Sequence, residues 1–188
     1  MLTFEMILGI LLAGLLSDNY ALLHFLGTGA VMENERSTKQ SVVLGLGTTL
    51  VMLITNAICW PINTYLLEKV PYLQTMVFVL VILIVVEILH IIAKNLLDNY
   101  CHADFVKFAI NGAVLGICIH NVEHHLGYLE TLVTSLGVGL GLMVTMCVFA
   151  KLKDEPVDEE AIPASFRGLP IALLTAGMIA LALLALNF

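Results

Sequence analysis

Charge is scarce in this chain of 188 residues, since Asp, Glu, Lys and Arg together make up only 12% of it. There are eight Lys plus Arg, and the formal net charge is −7 at pH 7. This balance excludes a basic nucleic-acid-binding protein, because binding to phosphates requires clustered positive charge. The four cysteines show neither CxxC nor CxxxC spacing, so neither a zinc knuckle nor a disulfide framework is indicated. No Lys or Arg precedes Arg36, and we therefore expect no secretory signal peptide.

Apolar residues dominate what is present, at 60% of the chain. A soluble domain is roughly 45–50% apolar and about 25% charged. A water-soluble fold of this size could not enclose so many apolar side chains, because small proteins expose a large share of their surface. Disorder is excluded by the same composition. The chain is therefore predicted to be an integral membrane protein whose surroundings are the lipid bilayer.

The apolar runs predict six transmembrane helices, because about 20 mostly apolar residues cross a bilayer as a helix. Continuous runs rather than alternating residues exclude a strand barrel. The first and fourth segments are short or interrupted: Ser17, Asp18 and Asn19 break the first, and the fourth carries Lys107 and Asn111. The predicted spans are residues 7–26, 42–60, 73–92, 105–119, 131–150 and 169–188.

Basic residues predict the orientation of these spans. Seven of the eight fall in or at the edges of the first, third and fifth loops, and only Lys69 lies elsewhere. Because basic loops stay in the cytoplasm, both termini are predicted to face outward. A five-span alternative that omits 105–119 would place the fifth loop outside with three basic residues, so we reject it.

The two halves of the chain resemble each other. Residues 28–31 (TGAV) match residues 111–114 (NGAV), and the next span in each half is rich in glycine. We therefore predict one membrane domain, residues 1–188, built from two repeats at about 1–95 and 103–188. Three spans per repeat give the repeats opposite orientations, and interrupted spans at matching places typically mark a site at the middle of the membrane.

Several segments resemble one family of redox-linked membrane subunits. They are residues 19–27 (NYALLHFLG), 44–52 (LGLGTTLVM), 111–116 (NGAVLG) and 163–177 (PASFRGLPIALLTAG). They are similar to the A subunit of the Rnf electron-transport complex and to the E subunit of the sodium-pumping NADH:quinone reductase. The resemblance implies six spans with outward termini and a homologous sister subunit that is inverted in the membrane. Glycines 45, 47, 137, 139 and 141 are expected to let the two subunits pack closely.

The resemblance also implies an iron–sulfur cluster of the [2Fe-2S] type, held by two cysteines from each of the two sister subunits. This chain departs from the family at that point, because Gly29 and Gly112 stand where the family has cysteine. Glycine has no side chain to ligate iron, and a cluster needs four ligands. We therefore expect no cluster between Gly29 and Gly112. The alternative is a displaced cluster that uses Cys118 and Cys59.

The function implied is that of a membrane subunit in a complex that couples electron transfer to ion translocation. Its implied partners are flavin-bearing membrane subunits and peripheral subunits that oxidise ferredoxin or NADH, in a bacterial or archaeal cytoplasmic (inner) membrane. The chain has no nucleotide-binding or flavin-attachment motif of its own, so no catalysis by the chain alone is expected. The alternative is a cluster-free inverted-repeat transporter or scaffold without a redox role.

A few ionisable residues are candidates for further chemistry. Asp18, Glu87 and His90 lie in spans, where charged groups are costly and by default suggest an ion path. Asp18 could instead cap the break in its span, and the other two could reach toward the cytoplasm. His120 and His124 have the i,i+4 spacing of zinc ligands, although a polar surface loop has the same composition.

Overall fold

The fold is that of a computed structural model. It describes residues 4–14, 26, 38–67, 69–96, 112–154, 163 and 169–186.

The described ranges are all-helical and contain no strand. Their α-helices are α1 (Phe4–Leu12), α2 (Thr38–Ile62), α3 (Gln74–Leu96), α4 (Gly112–Glu123), α5 (Tyr128–Asp154) and α6 (Leu169–Leu186). A π-helical turn, Asn63–Leu67, continues α2, and a 3-10 turn, Pro71–Leu73, leads into α3. Helices suit a membrane protein because they satisfy their own backbone hydrogen bonds where no water is present.

Among the described residues, three segments are long and apolar enough to cross a membrane: Ser41–Leu67, Pro71–Ile92 and Tyr128–Lys151. They confirm the second, third and fifth predicted spans as membrane-length helices. The third ends at Ile92 as expected, whereas the second continues past its expected end at residue 60 to Leu67. Two shorter apolar helices are Gly112–Glu123 and Pro170–Ala182. The first overlaps the fourth predicted span and continues past its expected end at residue 119, and the second lies within the sixth. Most of the first predicted span lies outside the described residues.

Helices α2 and α5 make the most extensive contact between described helices. A Cβ atom on Gly45 would lie 2.8 Å from the Cα atom of Met143, and one on Gly139 would lie 2.9 Å from the Cα atom of Thr49. The helices therefore run antiparallel, since the higher-numbered residue of one faces the lower-numbered residue of the other. Each glycine faces the residue four positions after the other glycine, so the crossing has local two-fold symmetry.

The glycines fill a different role from the one that the sequence suggested. Gly45 and Gly139 are buried in the contact between α2 and α5 of this chain, and a Cβ atom on Gly137 would lie 3.2 Å from the carbonyl oxygen of Leu11. The expectation that these three contact a sister subunit was wrong. Their small size is used within the chain, because only glycine allows two helix backbones to approach this closely.

Helix α4 packs against α2 and α3 and connects to α5 through a tight turn. In that turn the N–H of His125 donates to the carbonyl of Val122 (3.0 Å), and the N–H of Leu126 donates to the carbonyl of Asn121 (3.1 Å). These two bonds form a Schellman cap, with His125 in the left-handed position at φ 50°. The turn fixes the start of α5 beside the end of α4.

The outer faces of α3 and α6 are apolar and unburied. Leu80 and Ile84 on α3, and Met178 and Leu181 on α6, are among the exposed large side chains. In water such a surface would be an aggregation hazard, whereas lipid or an apolar partner helix covers it without cost. The core between the helices accordingly holds a different set of residues, including polar ones.

Candidate functional site

Buried polar side chains are concentrated on the helices of the central contact. Helix α2 carries Ser41, Thr48, Thr49, Thr55 and Asn56, helix α5 carries Thr131, Ser135 and Thr145, and helix α4 carries Asn121. A buried polar group costs free energy unless it is hydrogen-bonded. The hydrogen bonds of these buried polar side chains therefore show where the core of the chain is not purely apolar.

A pair of asparagines joins α2 to α4. The Nδ2 of Asn121 donates to the Oδ1 of Asn56 over 2.9 Å, and the Nδ2 of Asn56 donates to the carbonyl oxygen of Met52 over 2.9 Å. Both side chains are buried. The bond between residues 65 positions apart fixes the register of the two helices at this end of the bundle.

Two cysteines meet one helical turn beyond the asparagines. Cys59 lies three residues after Asn56 on α2, and Cys118 lies three residues before Asn121 on α4. Their thiols are close enough to hydrogen-bond to each other, and they are free thiols, not a disulfide. They are only 2% and 1% exposed, in a cluster that includes Phe78 of α3.

An aromatic contact closes this end of the bundle. The Nε1 of Trp60 donates to the carbonyl oxygen of Leu126 over 2.9 Å, and its ring meets the ring of Tyr128 edge-on at 5.3 Å between centroids. The end of α2 is thereby held to the turn that precedes α5. We define the outer-end site, named after the orientation that the basic residues predict, as Thr55, Asn56, Cys59, Cys118, Asn121 and Thr131.

The two candidate zinc ligands contact each other. The rings of His120 and His124 lie 4.2 Å apart between centroids, with their planes tilted by 47°. Across the described ranges, no group of three or more His, Cys, Asp or Glu side chains is placed to hold a metal ion. Two imidazoles do not complete a structural zinc site, which takes four ligands.

The remaining candidates are spread over the chain. Glu87 is exposed on α3, whereas His90, one turn further on, is partly buried, with its Nδ1 atom lacking a hydrogen-bond partner among the described residues. Gly112 is the exposed first residue of α4. Asp18 and Gly29 lie outside the described residues. The described part of the chain therefore does not bring the ion-path candidates into one site.

The described residues do not fit the cluster that the resemblance implies. Gly112 offers no ligand, and the thiols of Cys59 and Cys118 are enclosed in the core of this same chain. A cluster shared between two subunits needs ligands that reach the surface where the subunits meet. The geometry consequently does not favour the displaced cluster, and no electron-transfer step is assigned to these thiols.

Sequence reasoning passed over the uncharged polar members of the outer-end site. Thr55, Asn56, Asn121 and Thr131 carry no charge and match no motif, so they stood out less than Glu87 or the histidines. A usable signal was present, because asparagine is costly at membrane depth and usually finds a partner on another helix. The sequence pattern could not predict which two asparagines form a hydrogen bond with each other.

Known proteins resemble this chain over almost its whole length. The sequence model of the family described as "Rnf-Nqr subunit, membrane protein" matches residues 7–188. The chain is 30% identical over 183 residues, 95% of each sequence, to the A subunit of the Na(+)-translocating ferredoxin:NAD(+) oxidoreductase complex of Acetobacterium woodii. It is 32% identical over 177 residues, 92% of each sequence, to the A subunit of the ion-translocating oxidoreductase complex of Thioalkalivibrio sulfidiphilus.

Proposed function

This chain belongs to the Rnf-Nqr family of membrane subunits, and we propose that it forms the A-type core of its complex without ligating an iron–sulfur cluster. It is a membrane subunit of an ion-translocating oxidoreductase complex. The observation that carries this conclusion is the end-to-end match: relatives named as A subunits align over more than nine-tenths of both chains. The resemblance inferred from the sequence is thereby confirmed at the level of the family.

The proposed partners are an inverted homologous sister subunit, flavin-bearing membrane subunits, and peripheral subunits that oxidise ferredoxin or NADH. The name of the Acetobacterium woodii relative supports the ferredoxin and NAD part of this proposal. The apolar outer faces of α3 and α6 offer surfaces for membrane partners. Glu87 is exposed on α3, so an ion path that uses Glu87 and His90 would run where α3 meets a partner; Asp18 is the third proposed member.

Affinity purification tests the proposed function. A tagged copy at native expression level, extracted in mild detergent, is expected to elute with flavin-containing subunits and with ferredoxin- or NADH-dependent reductase activity. Elution of the chain alone, free of flavin and of that activity, would favour the cluster-free transporter or scaffold instead.

Cys59→Ala together with Cys118→Ala is expected to leave the iron content of the purified complex unchanged. The physical reason is that both thiols are buried inside this chain and are not placed to reach a cluster at a boundary between subunits. Iron quantification and low-temperature EPR of the double variant beside the parent complex measure this. Clusters in other subunits contribute equally to both samples, so the loss of about two iron atoms per complex, the content of one [2Fe-2S] cluster, would establish the displaced cluster.

The arrangement we propose is six spans in two inverted repeats, in a bacterial or archaeal cytoplasmic membrane with both termini outside. The reciprocal contacts of Gly45 and Gly139 support the inversion, because a two-fold axis across an antiparallel pair is the symmetry of inverted repeats. The distribution of basic residues supports the orientation. In this arrangement the outer-end site lies toward the outer face of the membrane.

A single cysteine placed at Phe188, in a chain whose four native cysteines are replaced by alanine, is expected to react with a membrane-impermeant maleimide in intact cells. The same reagent should leave a cysteine at Lys153 unlabelled until the cells are opened, because the fifth loop is proposed to be cytoplasmic. Labelling in the reverse order would invert the orientation.

A further inference from the structure

Most hydroxyl groups on these helices are satisfied in one way. A Ser or Thr hydroxyl in a helix can donate to the carbonyl oxygen three or four residues earlier. The groups that do so, over 2.7–3.0 Å, belong to Thr48, Thr49, Thr64, Thr134, Ser135, Thr145 and Thr175. This local bond removes the cost of placing a hydroxyl in an apolar environment.

Two buried hydroxyls depart from this pattern. The Oγ1 atoms of Thr55 and Thr131 have no hydrogen-bond partner among the described residues, although the side chains are 0% and 1% exposed. The Oδ1 of Asn121, in a side chain that is 3% exposed, also has none there. A buried polar group without a hydrogen-bond partner destabilises the folded chain. Three such groups together indicate that an ion or a water completes their hydrogen bonding.

The residues that carry the three oxygen atoms lie at about one level of the bundle. Thr55 adjoins Asn56, whose side chain is bonded to Asn121. Trp60 on α2 contacts Tyr128 on α5. Asn56 lies one helical turn before Trp60, and Thr131 lies about one turn after Tyr128, each a displacement of about 5 Å along its helix. Because α2 and α5 are antiparallel, both displacements point the same way and bring Asn56 and Thr131 to the same level. Helices α2, α4 and α5 thus each contribute one unpaired oxygen at the outer-end site.

The chemistry of this set selects its ligand. All three unpaired atoms are oxygens with lone pairs that can coordinate a cation, and the Oδ1 of Asn121 can only accept, so an anion would be repelled by this member of the set. None belongs to a carboxylate, so the set lacks the negative charge that calcium sites use. Neutral hydroxyl and amide oxygens at membrane depth match a monovalent cation, which they can coordinate in place of its water.

We propose that Thr55 Oγ1, Thr131 Oγ1 and Asn121 Oδ1 line a binding site for a sodium ion between α2, α4 and α5. The choice of sodium over another monovalent cation rests on the proposed function, since a relative is named as part of a sodium-translocating complex. The site itself rests on the three unpaired oxygens. It would hold the ion inside this one chain, near the outer face in the proposed orientation.

The test measures thermal unfolding of this chain in the purified complex, in buffers of equal ionic strength containing sodium, potassium or choline. A ligand that binds only the folded state raises the unfolding midpoint with its concentration. We expect sodium, but not choline, to raise it. Thr131→Val and Thr55→Val keep the side-chain shape but remove one oxygen each, and should raise the half-saturating sodium concentration about tenfold.

Two control variants separate a bound ion from a general effect on packing. Thr134→Val removes a hydroxyl that is bonded to the carbonyl of Glu130, one turn along the same helix, and should leave the sodium response unchanged. Thr131→Ser keeps the oxygen and should retain the response.

A dry or water-filled site predicts a different result. The midpoint of the parent would then be indifferent to sodium, and Thr131→Val would raise it equally in all three buffers, because the variant removes an unpaired hydroxyl. Either observation overturns the sodium site, and an equal response to potassium overturns the choice of ion. Because subunit composition and flavin are assayed on the same preparation, an intact complex without a sodium response rejects this inference and leaves the proposed function standing.

Discussion

Gly139→Leu is expected to prevent α2 and α5 from packing and to destabilise the chain by about 3 kcal/mol or more. A Cβ atom at this position would lie 2.7 Å from the Cγ2 of Thr49 and 2.9 Å from its Cα. The Cα atom belongs to the backbone of α2, so the contact can be relieved only by moving one helix away from the other. The measurement is the free energy of unfolding of the full chain in mixed micelles, by titration with a denaturing detergent.

Gly177→Leu is the matched control for this prediction. It places the same side chain in helix α6, where a Cβ atom has nothing within 4 Å, and should leave the free energy of unfolding within about 1 kcal/mol of the parent. Gly139→Ala provides a milder variant if the leucine variant does not accumulate. Equal stability of the Gly139 and Gly177 variants would mean that the two helices do not approach as closely as described.

Phe78→Ala is expected to lower the free energy of unfolding by about 3–5 kcal/mol. Phe78 is 0% exposed and is the largest of the fully buried side chains in the described part of the chain. It belongs to the buried cluster that also contains Cys59 and Cys118. Its removal would leave a cavity beside the thiols, so alkylation of Cys59 and Cys118 by a small maleimide should also become faster.

Met76→Ala tests whether the effect comes from burial. Met76 lies two residues earlier on the same helix and is 73% exposed, so its truncation removes few contacts within the chain. We expect little change in either the free energy of unfolding or the rate of thiol alkylation. A comparable loss in both variants would show that α3 is held mainly by its surroundings and not by the cluster around Phe78.

The membrane character and the family of the chain were determined by the sequence alone. Charge content and the length of an apolar run are properties of short stretches of sequence. Whether a stretch can cross the bilayer as a helix depends mainly on its own length and hydrophobicity. The second, third and fifth spans were therefore predictable, although the second continues past its predicted end through the π-helical turn Asn63–Leu67. The family resemblance of short segments such as residues 111–116 could likewise be recognised from the sequence, because it depends only on the order of the residues.

The arrangement of the core was decided by the tertiary structure. Glycine content indicated close helix packing, but only the crossing of α2 and α5 placed Gly45 and Gly139 inside this chain and not at a boundary between subunits. The pairing of Asn56 with Asn121 joins residues 65 positions apart, and no local periodicity specifies such a distance. These contacts depend on the axial offset and rotation of whole helices.

The unpaired oxygens show, for single side chains, the same difference between what the sequence determines and what the tertiary structure decides. Thr131 and Thr134 are both threonines on α5, and nothing in the residue type separates them. In the folded chain Thr134 donates to the carbonyl of Glu130, whereas the hydroxyl of Thr131 has no such bond within the described residues. The difference is one of rotamer and of what the neighbouring helices place around the hydroxyl. The sequence therefore determined which polar groups enter the membrane. The packing of α2, α4 and α5 decided which of these groups lack a hydrogen-bond partner among the described residues, because that depends on how three helices meet at one level.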